Sequence, residues 1–131
     1  LDCEVLGRVS DLELLAWYGR SICAVSASDV DGTPGFLLEA MAMGVPVVTS
    51  TIAAGGVDAQ SEKHFLVADT PEAYARQILR ITSNPVERQR LAEAGRARML
   101  SHHAWPRSME RLDGIIERCI KQFQKNKGKR K

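Results

Sequence analysis

The chain has 131 residues, 44% of them hydrophobic, and a net charge of +2. This length and apolar content predict one domain with a hydrophobic core, which excludes a disordered protein. The last seven residues hold five cations, so the preceding 124 residues carry a net charge of −3. The basic character therefore belongs to the C-terminal end, which argues against a nucleic-acid-binding surface on the folded part.

Strands and helices are predicted to alternate along the first half of the chain. Ser10 and Glu13 form a capping box that opens a helix over residues 11–19. Thr33 and Pro34 are a good N-cap and first residue for a second helix, because proline lacks the donor that would go unpaired there. That helix is predicted over residues 34–43, with Gly44 ending it. Strands are predicted at residues 4–9, 21–27, 46–50 and 63–68, with a loop at residues 51–62.

Three helices are predicted in the second half, where apolar residues recur with helical spacing. The first begins at Thr70-Pro71. The second covers residues 85–100, with Asn84 and Glu87 as a capping signal and Pro85 at its first position, and the third covers residues 106–123. Strands that alternate with helices imply right-handed crossovers and parallel pairing. The predicted fold class is therefore α/β, a Rossmann-like parallel sheet with flanking helices.

The helix over residues 34–43 contains one charged residue, Glu39. A helix that is apolar all round is normally buried, so we expect Glu39 to be a buried carboxylate that needs a hydrogen-bonding partner. At 100° per residue it shares a face with Gly35 and Ala42, where a ligand could approach closely. A second acid, Asp31, lies eight residues earlier. A purely structural interpretation also stands, with Asp31 complementing the helix dipole and Glu39 held by a backbone amide.

The order and spacing of this segment resemble a known family. The segment contains Asp31, Gly32, Pro34 and the run EAMAMGVPVV over residues 39–48. It is similar to the motif of an acid, seven residues and Glu that is found in retaining GT-B glycosyltransferases, family 4 or group 1. In those enzymes the motif lies in the C-terminal, donor-binding domain. Residues 65–69 and 101–105 match more loosely. The resemblance implies an incomplete C-terminal half of a GT-B enzyme over residues 1–124. The five cations of residues 125–131 predict a basic disordered tail there.

The resemblance also implies a donor site. Glu39 would hydrogen-bond the ribose of a nucleoside-diphosphate sugar, and Asp31 would lie near the transferred sugar. Amides at a helix N-terminus favour phosphate, which independently supports a diphosphate site there. The donor-binding residues implied are Asp31, Gly32, Thr33, Pro34, Gly35, Phe36, Leu37 and Glu39. No catalytic residue is assigned in this fragment, and the resemblance implies that no metal or other cofactor is required.

The implied function is a retaining glycosyltransferase of polysaccharide biosynthesis, whose acceptor is held by an N-terminal domain that this fragment lacks. The fragment alone is expected to be inactive. Two departures leave an alternative open, a non-catalytic nucleotide(-sugar)-binding or interaction fragment of the same fold. Asp31 stands where Glu is commoner, and residues 1–20 hold no counterpart of the basic residues that grip the diphosphate in relatives. A receiver domain of a signalling protein fits less well. Such a domain places a Lys after the end of a parallel strand, whereas Lys63 stands at the start of the strand predicted at residues 63–68.

Cellular location and partners follow from simple features. The three cysteines, Cys3, Cys23 and Cys119, show no metal-site spacing and are expected to be thiols, the last two buried, in a reducing compartment. No apolar run is long enough to span a membrane, and no signal peptide is visible. We expect a cytoplasmic protein, either free or peripheral at the inner face of the membrane through weak contact of its basic tail. In an incomplete domain one edge of the sheet would be uncovered, and we expect copies of the chain to associate through it.

Overall fold

The computed structural model describes residues 3–29 and 35–128. Within these segments the chain forms six helices and three short strands. In chain order they are α1 (Asp11–Arg20), β1 (Ala24–Ser26), α2 (Gly35–Ala42), β2 (Val47–Thr49), α3 (Thr51–Ala54), β3 (Leu66–Val67), α4 (Pro71–Ser83), α5 (Pro85–His102) and α6 (Trp105–Gly128).

The strands form one parallel sheet in the order β1-β2-β3. Val48 in the middle strand lies opposite Val25 on one side and Leu66 on the other. Consecutive parallel strands need a crossover between them, and α2 supplies it between β1 and β2. The predicted α/β fold with a parallel sheet is confirmed.

Helices cover both faces of the sheet, and each face has its own apolar cluster. Val47 packs in a cluster with Leu37 and Met41 of α2 and Met99 of α5. Its neighbour Val48, whose side chain points to the opposite face, packs with residues of the second cluster. The other buried members of that cluster are Leu66, Ala68, Ile81 and Leu91. The uniformly apolar sequence of β2 is explained, because all three of its residues are buried.

Helix starts agree with the sequence signals. The predicted capping box is present, with Glu13 accepting a hydrogen bond from the backbone N–H of Ser10 at 2.8 Å. Thr70 caps α4, and Asn84 caps α5 with its side-chain oxygen. Thr33 and Pro34, the predicted start of α2, lie outside the described residues.

The strand predicted at residues 4–9 is wrong, because these residues form no strand in the structure. A strand needs a neighbour to satisfy its backbone and cover its side chains. None of the described strands pairs with this segment, and Val5 is 92% exposed. The other predicted strands are present but shorter than expected, at three, three and two residues.

Three other expectations are corrected. The loop predicted at residues 51–62 begins with the four-residue helix α3, because the Ser50 hydroxyl caps it by accepting from the Ala53 N–H. Residues 125–128, predicted as part of a disordered tail, are helical because α6 continues through Gly128, and residues 129–131 lie outside the described residues. Cys119 is exposed rather than buried, and Cys23 is half-buried. Burial raises the pKa of the Cys23 thiol.

Candidate functional site

The position of α2 follows from the residues at its C-terminal end. Gly44 has a φ of +75°, a left-handed conformation that glycine adopts without strain. The N–H of Val45 donates to the carbonyl of Ala40 at 2.9 Å, and the N–H of Gly44 donates to that of Met41 at 3.0 Å. This is a Schellman motif, and it directs the chain into β2. The helix N-terminus consequently lies at the carboxyl edge of the sheet.

Glu39 lies one turn into α2 and is exposed, so the expectation of a buried carboxylate is wrong. Only one side of α2 faces the core, through Leu37, Ala40 and Met41. A Cβ added at Gly35 would lie 3.9 Å from Glu39 Oε1, so the carboxylate points back toward the start of the helix. The predicted shared face of Gly35 and Glu39 is therefore present.

Tyr18 of α1 contacts this carboxylate. Its hydroxyl lies 3.3 Å from Glu39 Oε2 and 3.4 Å from the Phe36 carbonyl oxygen. Burial of the ring and the nearby charge of Glu39 raise the pKa of Tyr18 to about 12. The phenol therefore stays protonated at neutral pH and acts as a hydrogen-bond donor.

Two clefts border Glu39, one on each side. The first, of about 230 Å³, lies between α1 and α2. The second, of about 370 Å³, lies between α2, the end of α5 and the start of α6, and its lining includes His103 and Trp105. The Nε2 atom of His103 is buried and has no hydrogen-bond partner among the described residues. The carboxylate is thus open to ligands from either side.

The largest cleft among the described residues, of about 690 Å³, lies elsewhere. It is formed where the three parallel strands end, the edge at which open α/β sheets usually bind ligands. Glu39 does not line it. Its lining residues are Ala27, Ser28, Asp29, Ser50, Thr51, Ile52, Asp69, Thr70, Pro71 and Tyr74.

Several polar groups of the largest cleft are already engaged by the protein. Asp69 accepts hydrogen bonds from the Thr51 N–H at 2.8 Å and from the Thr51 hydroxyl at 2.6 Å. These bonds lower the pKa of the Asp69 carboxyl. The Tyr74 hydroxyl donates to the Ser26 carbonyl at 2.7 Å. These contacts join the ends of the three strands, a structural role.

Of the predicted donor-binding residues, the structure describes four. Gly35 and Glu39 are exposed, the Phe36 side chain is half-buried and that of Leu37 is fully buried. Their amides belong to the first turns of α2, whose first four N–H groups have no partner within the helix. Asp31, Gly32, Thr33 and Pro34 lie outside the described residues.

Sequence reasoning missed Tyr18 as the neighbour of Glu39. Tyr18 lies four residues after Leu14, so both belong to the buried side of α1. A tyrosine at such a position carries a polar group that needs a partner, which is the signal that could have identified it.

Among residues 3–29 and 35–128, no three His, Cys, Asp or Glu side chains are grouped so that they could hold a metal ion. None of the helices in these ranges is both long and apolar enough to cross a membrane.

Comparison with known proteins gives two matches. The family described as Glycosyl transferases group 1 matches residues 1–84. Glycosyltransferase 1 domain-containing protein 1 of Xenopus tropicalis is 25% identical over 112 residues, which cover 86% of this chain and 32% of that protein. The chain therefore spans about a third of the length of this relative.

Proposed function

Because the chain belongs to the glycosyl transferases group 1 family, we propose that it binds a nucleoside-diphosphate sugar through the exposed face of α2. In this proposal Glu39 accepts hydrogen bonds from the ribose hydroxyls. The amides of Gly35, Phe36 and Leu37 bind the diphosphate, with Asp31 and the backbone of residues 32–34 beside the sugar.

The observation that carries the proposal is that the exposed Glu39 carboxylate has few hydrogen-bond partners among the described residues. Among the described residues, Tyr18 gives it one hydrogen bond, which at 3.3 Å is longer than the usual O–H···O distance. An ionised carboxylate has about four acceptor positions, so most of them are available to a ligand. Asp69 in the largest cleft differs, because both of its oxygens already accept from Thr51.

The spacing along α2 also suits a nucleotide. Glu39 lies four residues after Gly35, a rise of about 6 Å along the helix axis. The ribose and the diphosphate of a nucleotide are neighbouring groups, so one ligand could reach the carboxylate and the helix N-terminus together. The partial positive charge of a helix N-terminus favours a phosphate group.

The chemistry proposed for the longer protein is transfer of the sugar to an acceptor with retention of configuration, in polysaccharide biosynthesis. The bond from the sugar to the diphosphate breaks as the acceptor bond forms. Amides already fixed at the start of α2 would stabilise the departing diphosphate without reorganisation. The acceptor and any catalytic group would come from an N-terminal domain, so this fragment binds the donor without turnover.

The direct test is a titration of the chain with UDP, GDP and ADP, followed by amide chemical shifts. Shifts are expected for residues 35–40 with at least one nucleotide. Glu39→Gln keeps the shape of the side chain and removes its charge. It should weaken binding by about 1–3 kcal/mol, the usual cost of losing a charged hydrogen bond.

Glu117→Gln is the matched control. Glu117 is also an exposed helical glutamate, and its recorded ion pair is with Lys121 in α6 at 3.6 Å. Its replacement should leave the nucleotide affinity unchanged. If the parent chain and Glu39→Gln bind the nucleotide with equal affinity, Glu39 is not part of the site. If the chemical shift changes are confined to residues 50–52 and 69–74, the nucleotide binds in the largest cleft instead.

A further inference from the structure

Helix α6 carries an apolar stripe that the rest of the described chain leaves uncovered. The helix has 24 residues, and its principal packing contact is with α5. At 100° per residue, six large apolar side chains fall on one face, and the stripe is about 27 Å long. They are Trp105, Met109, Leu112, Ile116, Ile120 and Phe123, each between 43% and 77% exposed.

Charge is distributed unevenly along the same helix. The acids of α6, Glu110, Asp113 and Glu117, lie within its first 13 residues and on one flank of the stripe. From residue 118 to residue 128 every charged residue is a cation. These cations are Arg118, Lys121, Lys125 and Lys127, and the sequence continues beyond the described residues with Lys129, Arg130 and Lys131.

We propose that α6 binds the surface of an anionic membrane, with its apolar stripe in the headgroup region. A helix with an apolar face, an opposite face rich in Lys and Arg, and no capacity to span is typical of an interfacial helix. Arg118, Lys121 and Lys125 project on the side opposite the stripe, so they stay hydrated while the stripe is buried. Seven cations near the end of such a helix are attracted to anionic lipid. This proposal is independent of donor binding.

A second copy of the chain fits the stripe less well. Two α6 helices packed antiparallel along their stripes would bring their acidic flanks together, with Glu110, Asp113 and Glu117 of one copy beside the same residues of the other. A parallel pair would place the two cationic ends side by side. Like charges at such distances destabilise either arrangement, whereas an anionic lipid surface attracts the cations.

Vesicle co-sedimentation tests the proposal. The chain should bind vesicles that contain phosphatidylglycerol, bind pure phosphatidylcholine vesicles much more weakly, and dissociate as salt concentration rises. In a Trp17→Phe background, the emission of Trp105 should shift to shorter wavelength on the anionic vesicles. Trp105 is 77% exposed in the structure, so the shift would report its transfer out of water.

Two pairs of variants identify the surface. Lys121→Glu with Lys125→Glu should reduce binding about thirtyfold or more, since each cation contributes roughly fivefold. Lys63→Glu with Arg76→Glu makes the same charge change on exposed positions outside α6 and should reduce it far less. Phe123→Ser should also reduce binding, and Leu79→Ser, at an exposed apolar position of α4, should not.

Each other outcome contradicts the proposal. No binding to anionic vesicles would refute membrane binding by α6. Equal binding by the α6 variants and their controls would place the contact elsewhere. If Phe123→Ser reduces self-association in sedimentation velocity and leaves vesicle binding unchanged, the occupant is a second copy. Circular dichroism of the α6 variants and of their α4 and Lys63 controls should match the parent, because these positions are exposed.

Discussion

Gly95 of α5 approaches the backbone of His64 so closely that an added Cβ would lie 3.0 Å from the His64 carbonyl oxygen. The same Cβ would lie 3.5 Å from Met41 Cε. The His64 backbone is held in place, because its N–H donates to the Gln60 carbonyl and its ring accepts from the Gln60 N–H, both at 2.9 Å. Gly95 therefore allows α5 to pack on this segment and on α2.

Gly95→Ala is expected to destabilise the fold. Overpacking costs about 1–3 kcal/mol, and the better helix propensity of alanine offsets about 1 kcal/mol of it. The measurement is the free energy of unfolding in urea. Gly114→Ala in α6 is the control, because its Cβ would meet the flexible end of Arg118 at 3.6 Å, and it should stabilise the protein. A stable Gly95→Ala protein would show that the His64 segment can move.

Glu87 joins the start of α5 to two arginines. Arg90 Nε donates to Glu87 Oε2 at 3.0 Å, and Arg80 Nη2 donates to Oε1. Hydrogen bonds from Arg90 and then Arg80 lower the pKa of Glu87 to about 2, against the opposing effect of desolvation. A carboxyl whose folded pKa lies below its unfolded pKa stabilises the fold above the unfolded pKa. That stability should disappear as the pH falls from about 4.5 to about 2.

Glu87→Gln should therefore destabilise the protein at neutral pH and have less effect near pH 2. Both arginine side chains are about 40% exposed, so screening reduces the loss to about 1–2 kcal/mol. Unfolding free energies at several pH values test this. Glu93→Gln is the control, since Glu93 accepts from the neutral Gln89 side chain. A pH-independent difference between Glu87→Gln and the parent would contradict the assignment.

We expect copies of the chain to associate through the outer edge of β1. Among the described strands, β1 pairs with β2 alone, and Val25 is 43% exposed. An uncovered edge strand can pair with another chain, and a lysine on it opposes such pairing. Sedimentation velocity should show concentration-dependent association of the parent chain and less of it for Val25→Lys. Leu79→Lys, on α4, should behave as the parent, and a parent that stays monomeric at high concentration would refute the prediction.

The sequence predicted those features that depend on residues close together in the chain. Capping at Ser10, Thr70 and Asn84 and the end of α2 at Gly44 needed only local hydrogen bonds and backbone conformation, and each is present in the structure. The parallel sheet followed from the alternation of strands and helices. The motif that pointed to the family also needed only order and spacing.

What the sequence could not predict depends on tertiary contacts. Residues 4–9 have a strand-like composition, but a strand requires a partner that the local sequence does not specify. Burial of Glu39 was inferred from an apolar helix, yet α2 has one face outside the core. The contact of Glu39 with Tyr18 joins residues 21 positions apart. All eight donor-binding residues stay predictions, and those at positions 31–34 lie outside the described residues.

The titration of Tyr18 gives a test of its environment. Its folded pKa of about 12, set by burial and then by Glu39, lies above the ordinary value of 10.0. A phenol with a raised folded pKa contributes stability below the unfolded pKa and loses it as the pH rises from about 10 to about 12. The loss is at most about 3 kcal/mol, at 1.36 kcal/mol per pKa unit.

Absorbance of the phenolate as a function of pH should therefore show a late phase that Tyr18→Phe removes. Tyr74→Phe is the matched control, since the pKa of Tyr74 is also raised by burial and by Asp69, and this variant should keep the late phase. Glu39→Gln should move the Tyr18 phase to lower pH, because it removes the negative charge that opposes ionisation of the phenol. If Glu39→Gln leaves that phase in place, the two side chains are not coupled in solution.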